Sequence, residues 1–151
     1  PSVTAAPSNP GLKATWHEFK GNKCSEIEKA PVNGTYPVED VMIPKKVKGN
    51  IGLIIKGYFN APQDDIYTFA LLSDDGSTLT IDSEQIVDND GPHGPKEIVG
   101  QKALAKGYHP MELRYFDQNG GQLKLRRAII NELRKIGRAD LIDKLYGKYK
   151  A

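Results

Sequence analysis

Along most of this chain apolar and polar residues alternate in short runs, and each run ends on Gly, Asn, Asp or Pro. A period of two puts one face of a strand in a core and the other in water. The runs cover residues 12–19, 50–62, 65–73, 77–82, 108–117 and 121–126. Ile51, Leu53 and Ile55 alternate ahead of Gly57, which reads as a bulge that shifts the pattern. Tyr67, Phe69 and Leu71 share one face of the next run. Leu79 with Ile81, then Met111, Leu113 and Tyr115, then Leu123 with Leu125, repeat the scheme. Residues 20–49 are interrupted by Pro, Gly and Asn-Gly and read as irregular. Residues 85–107 read as a short apolar piece within a Gly/Pro-rich loop. Many short strands joined by turns predict an all-β, antiparallel β-sandwich.

After residue 126 the period changes. Ile129, Ile130, Leu133 and Ile136 recur at three and four residues, as do Leu141, Ile142, Leu145, Tyr146 and Tyr149. That spacing predicts an added C-terminal amphipathic helical segment, broken near Gly137. The opening "PSVTAAPSNPG" lacks any period and reads as a linker. The expected organisation is therefore a linker over 1–10, a sandwich over 11–126 and a helical appendage over 127–151. Such an opening fits a domain cut from a longer chain.

Charge follows the same division. Residues 1–125 hold 13 Lys+Arg against 16 Asp+Glu, a net −3, and residues 126–151 hold 8 against 3, a net +5. The basic character belongs to the tail, yet Glu132, Asp140 and Asp143 interrupt it. The tail is read as a packing element, on the sandwich or in self-association through residues 127–149, and not as a nucleic-acid or membrane binder. A chain of 151 residues can bury a core without disulfides, and the single cysteine, Cys24, excludes an internal disulfide framework.

The stretch "FALLSDDGSTLTID" places two acids, Asp74 and Asp75, side by side before Gly76. Adjacent carboxylates repel unless a counter-charge lies near. Two readings follow from the residues. In one, Asp74 starts a turn and Asp75-Gly76 reverses a hairpin. In the other, a cation joins the acids; calcium takes six to eight oxygen ligands from carboxylates and carbonyls. Glycosidase chemistry is disfavoured, because hydrolysis needs two carboxyls flanking the bond about 5–9 Å apart. Neither Cys24 nor the three histidines have nucleophile or zinc spacing, and no phosphate-cradling glycine loop is present.

The run "GYFNAPQDDIYTFALLSDDGSTLTIDSEQIVDNDGPHG" followed by "LAKGYHPMELRYFDQNGGQLKL" resembles the protective-antigen-type (PA-fourteen) domain family. The likeness covers residues 50–125 well and 11–49 loosely, and the helical tail departs from it. It implies a β-sandwich of the kind found in bacterial glycosidases, yeast adhesins and toxin translocation components. In the adhesin branch, an acid pair at this turn binds calcium across a cis peptide, which assigns Asp74 and Asp75 to a metal site. The further side-chain ligand of that branch, an Asn, falls at Asp117, with Asn119 the next choice. Expected glycan contacts are Asp74, Asp75, Asp90, His93 and Asn119. Trp16, Tyr36, Tyr58, Tyr67 and Phe116 are the aromatic platforms on offer. The expected function is a non-catalytic, calcium-assisted carbohydrate-binding module. It would be secreted, periplasmic or at the cell surface and linked to a catalytic domain of a glycoside hydrolase. The rival readings are an interaction domain that uses the tail as its surface, and an accessory wall of a partner's active site.

Overall fold

A computed structural model describes residues 11–43, 49–118, 121–129 and 149–150. Among the described residues ten strands follow one another: β1 (Leu12–Glu18), β2 (Val32–Val38), β3 (Ile51–Ala61), β4 (Asp65–Asp74), β5 (Ser77–Ile81), β6 (Glu84–Asn89), β7 (Lys96–Leu104), β8 (Gly107–Asp117), β9 (Gln122–Ile129) and β10 (Tyr149–Lys150). They form a six-stranded sheet, β2-β1-β3-β8-β5-β6, and a four-stranded sheet, β10-β9-β4-β7. Every pairing is antiparallel.

The alternation read from the sequence fixes which side of each strand faces in. Ile51, Leu53, Ile55 and Phe59 of β3 meet Tyr67, Phe69 and Leu71 of β4, with Leu79, Ile81, Met111, Leu113 and Tyr115 filling the space between the sheets. Each fully buried aliphatic or aromatic side chain contributes about 1.5–3 kcal/mol. A second, smaller core lies on the outer face of the six-stranded sheet. There Ile54 and Phe116 point away from the main core and are covered by Cys24 and Ile27 of a 3-10 helix, Cys24–Lys29, and by Phe19 just after β1. Phe19 meets Phe116 edge to face, with ring centres 5.9 Å apart.

Several expectations are corrected. The chain is all-β as read, but among the described residues there is no α-helix, and the 3-10 helix is the one helical element. The added C-terminal helix is overturned where the chain is described. Residues 127–129 continue β9 against β4, with Tyr67↔Ile129 and Phe69↔Arg127 in register, and Tyr149–Lys150 pair with Arg127 and Arg126. The ladder already running through Leu125 extends there, and the three-four spacing of apolar residues does not override it. Residues 130–148 lie outside the described residues. The β3–β8 ladder is continuous through Gly57, so no bulge sits there; register shifts occur at Trp16/His17 and Leu79/Thr80 instead. Gly57 answers to crowding, since a Cβ would lie 2.5 Å from Leu12 Cδ2. Residues 32–38, 84–89 and 96–104, read as irregular or loop, are strands. No helix among the described residues is long and apolar enough to cross a membrane.

Candidate functional site: an acid corner between the two sheets

Asp74 ends β4 in one sheet and Ser77 opens β5 in the other. Asp74-Asp75-Gly76 is therefore a corner joining the sheets, not the hairpin reversal that the local residues also allowed. The Asp74–Asp75 peptide is cis. Behind it, Ser73 Oγ and Ser77 Oγ lie 2.5 Å apart and tie the sheets together. Asn89 reinforces this seam, its Nδ2 lying 3.2 Å from both Leu71 O and Ser73 Oγ and 2.8 Å from Lys96 O. All three side chains are buried, and the two hydroxyls and the Asn89 amide N–H groups find partners in one another and in backbone carbonyls.

Three other segments close on the corner. The Asp75 carboxylate accepts the His93 N–H at 3.1 Å on Oδ1 and the Gln118 N–H at 2.8 Å on Oδ2. One side chain thus holds the β6–β7 loop and the chain leaving β8. Gly76 packs against Gly91, where a Cβ would lie 2.8 Å from both the Gly91 N and O, so the glycine of "DDG" is required by close approach. Tyr115 donates its hydroxyl to Asp74 O at 2.7 Å. Burial, then the charges of Asp117, Asp74 and Asp75, push the Tyr115 phenol far above its ordinary pKa. It stays a hydroxyl and a donor. Gly121 fits against the same point: a Cβ there would lie 2.0 Å from Tyr115 Oη, 2.3 Å from Asp74 O and 2.8 Å from Asp117 Cγ.

The expected site residues divide accordingly. Asp74, Asp75, the buried Asp117 and the His93 backbone meet at the corner. The His93 ring turns to its own loop, with Nε2 2.8 Å from Asn89 O and Nδ1 2.6 Å from Gly94 O. Asp90 turns away to accept the Cys24 N–H at 3.0 Å and the Gly91 N–H at 2.9 Å, which anchors the 3-10 helix. Burial, then Asp90, drives the Cys24 thiol well above its usual range, so it is no nucleophile. Asn119 lies outside the described residues. Tyr67 and Phe116 are core residues, and Trp16 and Tyr36 pack against the main core. Tyr58 lies on the outer face, beside Lys56 and Pro110. Sequence reading missed Tyr115, Gly121 and Gln118. Tyr115 alone left a signal, because it shares the inward parity of Met111, Leu113 and Asp117 on β8.

All side-chain donors at the corner are oxygens, which suits a hard cation such as calcium and not zinc. Among the described residues no group of three or more His, Cys, Asp or Glu side chains is arranged to hold a metal ion. A cation at the Asp74–Asp75 pair would therefore draw most of its ligands from carbonyls, water or ligand hydroxyls.

The PA14 domain model matches residues 8–135. The chain belongs to the PA14 domain family. No curated protein matches it in sequence. Among solved structures it is similar to the PA14 domain of the antifreeze protein MpAFP, at 13% identity and TM-score 0.70, covering 85% of this chain and 88% of that one. It is similar to the PA14 sugar-binding domain of an RTX adhesin, at 17% identity and TM-score 0.68, covering 81% and 91%. The epithelial adhesin 9 A domain of Candida glabrata, solved with Galb1-3GlcNAc, matches at 12% identity and TM-score 0.64, covering 86% and 87%. At these identities the likeness is one of fold.

Proposed function

We propose that this PA14 domain is a non-catalytic carbohydrate-binding module whose glycan site is the acid corner. The observation that carries the reading is the Asp75 carboxylate at the sheet junction, where the β6–β7 loop and the chain leaving β8 both bond to it, with Asp74 beside it and the Asp117 carboxyl close to Gly121 and Asp74 O. The carboxylate of Asp75 bonds only backbone N–H groups among the described residues, which leaves its charge without a cationic side-chain partner. Carboxylates accept sugar hydroxyls directly or share them through a divalent cation. Calcium would be held by Asp74 and Asp75, with Asp117 behind them, and would offset the repulsion of the pair. The adhesin relatives support the same reading: one is a sugar-binding PA14 domain and another is solved with Galb1-3GlcNAc. Carried beside a catalytic domain on a secreted chain, such a module would raise the local concentration of substrate.

Glycan-array binding of the purified chain, in calcium and in chelator, tests this. Binding to one glycan class that Asp75→Ala removes is expected, with loss in chelator if calcium bridges. Binding that survives Asp75→Ala would reject the corner as the site, and hydrolysis of a glycoside lost on mutating Asp74 would reject the non-catalytic reading.

A further inference from the structure

The outer face of the six-stranded sheet is divided in two. The half nearest the acid corner lies under the 3-10 helix. The other half holds a groove of about 470 Å³, within the ~300–1,000 Å³ usual for small-ligand sites. One register row crosses it: Lys13 faces Lys56, Lys56 faces Glu112, and Glu112 faces Thr80. Like charges directly opposed on neighbouring strands repel. Glu112 is the one carboxylate in that row, and it is shared. Lys56 Nζ lies 3.5 Å from its Oε1 while Arg114 Nε lies 3.0 Å from its Oε2. Lys13 makes no ion pair among the described residues. Both lysines are exposed, so the row carries an excess of positive charge at the groove.

Tyr58 follows Lys56 by one pleat on the same face of β3 and lines the groove, with Thr80 and Ser83 on its other side. An aromatic face covers the apolar side of a pyranose. Two hydroxyls and a carboxylate serve its ring hydroxyls, and two opposed ammonium groups match one anionic substituent. We propose that this groove is a second saccharide site, selective for a sugar bearing a carboxylate or sulfate. Its charged row lies about 17 Å along β3 from the Asp117 row. The proposal is independent of the acid corner and needs no metal.

Backbone NMR of the full chain, titrated separately with a trisaccharide of galacturonic acid, galactose 6-sulfate, galactose and inorganic sulfate, tests it. At least one of the two acidic sugars should shift the Lys13, Lys56, Tyr58 and Thr80 amides at millimolar ligand. Whichever does so names the anion, and neutral galactose should leave those amides unmoved. The Lys13→Ser/Lys56→Ser variant should weaken the binding by about tenfold, and added salt should weaken it further. Both positions are exposed, so folding should be unaffected. Shifts confined to residues 74–76 and 118, equal shifts with galactose or inorganic sulfate, or no shifts with either acidic sugar would each overturn the proposal.

Discussion

Strand β5 has an aspartate turn at each end, and the two turns treat their carboxylates in opposite ways. At Asp82-Ser83 the chain makes a two-residue hairpin with φ of 52° and 66°, the left-handed values such a turn needs. The Asp82 carboxylate is buried against the His109 ring at 2.8 Å, and His109 Nε2 lies 2.7 Å from Ala105 O. At Asp74-Asp75 no imidazole or ammonium among the described residues enters; backbone N–H groups and a tyrosine hydroxyl hold the turn. The first aspartate is compensated within the fold. The second pair leaves negative charge at a loop junction, where a cation or a polyol can complete it. Local composition is similar at both turns, and the partner supplied from a distant strand decides which one is structural.

The sharpest test of this contrast is His109→Leu. Removing the partner of a buried carboxylate should cost about 3 kcal/mol or more in denaturant unfolding, while glycan affinity per folded molecule stays unchanged. Loss of glycan binding in the folded fraction would break the division between the two turns. Asp75→Ala comes next: it strands the His93 and Gln118 N–H groups, each bonded to a charged acceptor. A stability loss of about 2 kcal/mol is expected, together with abolished ligand binding by calorimetry. Tyr115→Phe removes one hydrogen bond and should cost about 1 kcal/mol.

That variant also carries a pH signature. The folded phenol is raised above its unfolded value of about 10, so above that pH the unfolded state holds fewer protons than the folded one. Stability should fall as pH climbs past 10, and Tyr115→Phe should flatten that fall. The measurement belongs in a Cys24→Ala background, because the raised thiol gives a similar decline from about pH 8.5. Asp74→Asn should have the smallest stability effect, within about 0.5 kcal/mol, yet reduce ligand binding strongly. A large change in melting temperature would show that Asp74 is structural after all.

The central strands were legible because one of their faces is buried and the other is not. The strands that escaped, β2, β6 and β7, are sheet edges. Edges carry polar residues on both sides to discourage further pairing, which erases the period. In β7, Gly100 marks where a Cβ would sit 2.0 Å from Ile86 O on β6, a constraint between sheets that no local pattern encodes. At residues 127–129 the apolar spacing was read as helix and the chain is strand, since the partner that extends β9 is β4, far back in sequence. Asp74, Asp75 and Asp117 were visible as residues. Tyr115 was visible only as a core residue and Gly121 not at all, because their role in holding the acids exists only once β4, β8 and β9 are side by side.

The pairing of β3 with β8 also bears on how the molecule assembles. It joins Ile51 to Asp117 and Ala61 to Gly107, across the whole of β4 to β7. The first and second strands alone cannot close the six-stranded sheet; its centre waits for β8 to leave the ribosome. Loop closure over such spans is entropically costly before any contact rewards it, and chains with this topology fold in milliseconds to seconds. Until β8 docks, Tyr115 is absent from Asp74 and the Gln118 N–H from Asp75. The acid corner is therefore among the last features to form during synthesis, and a chain released before Asp117 would display half-formed sheets with no binding site at all.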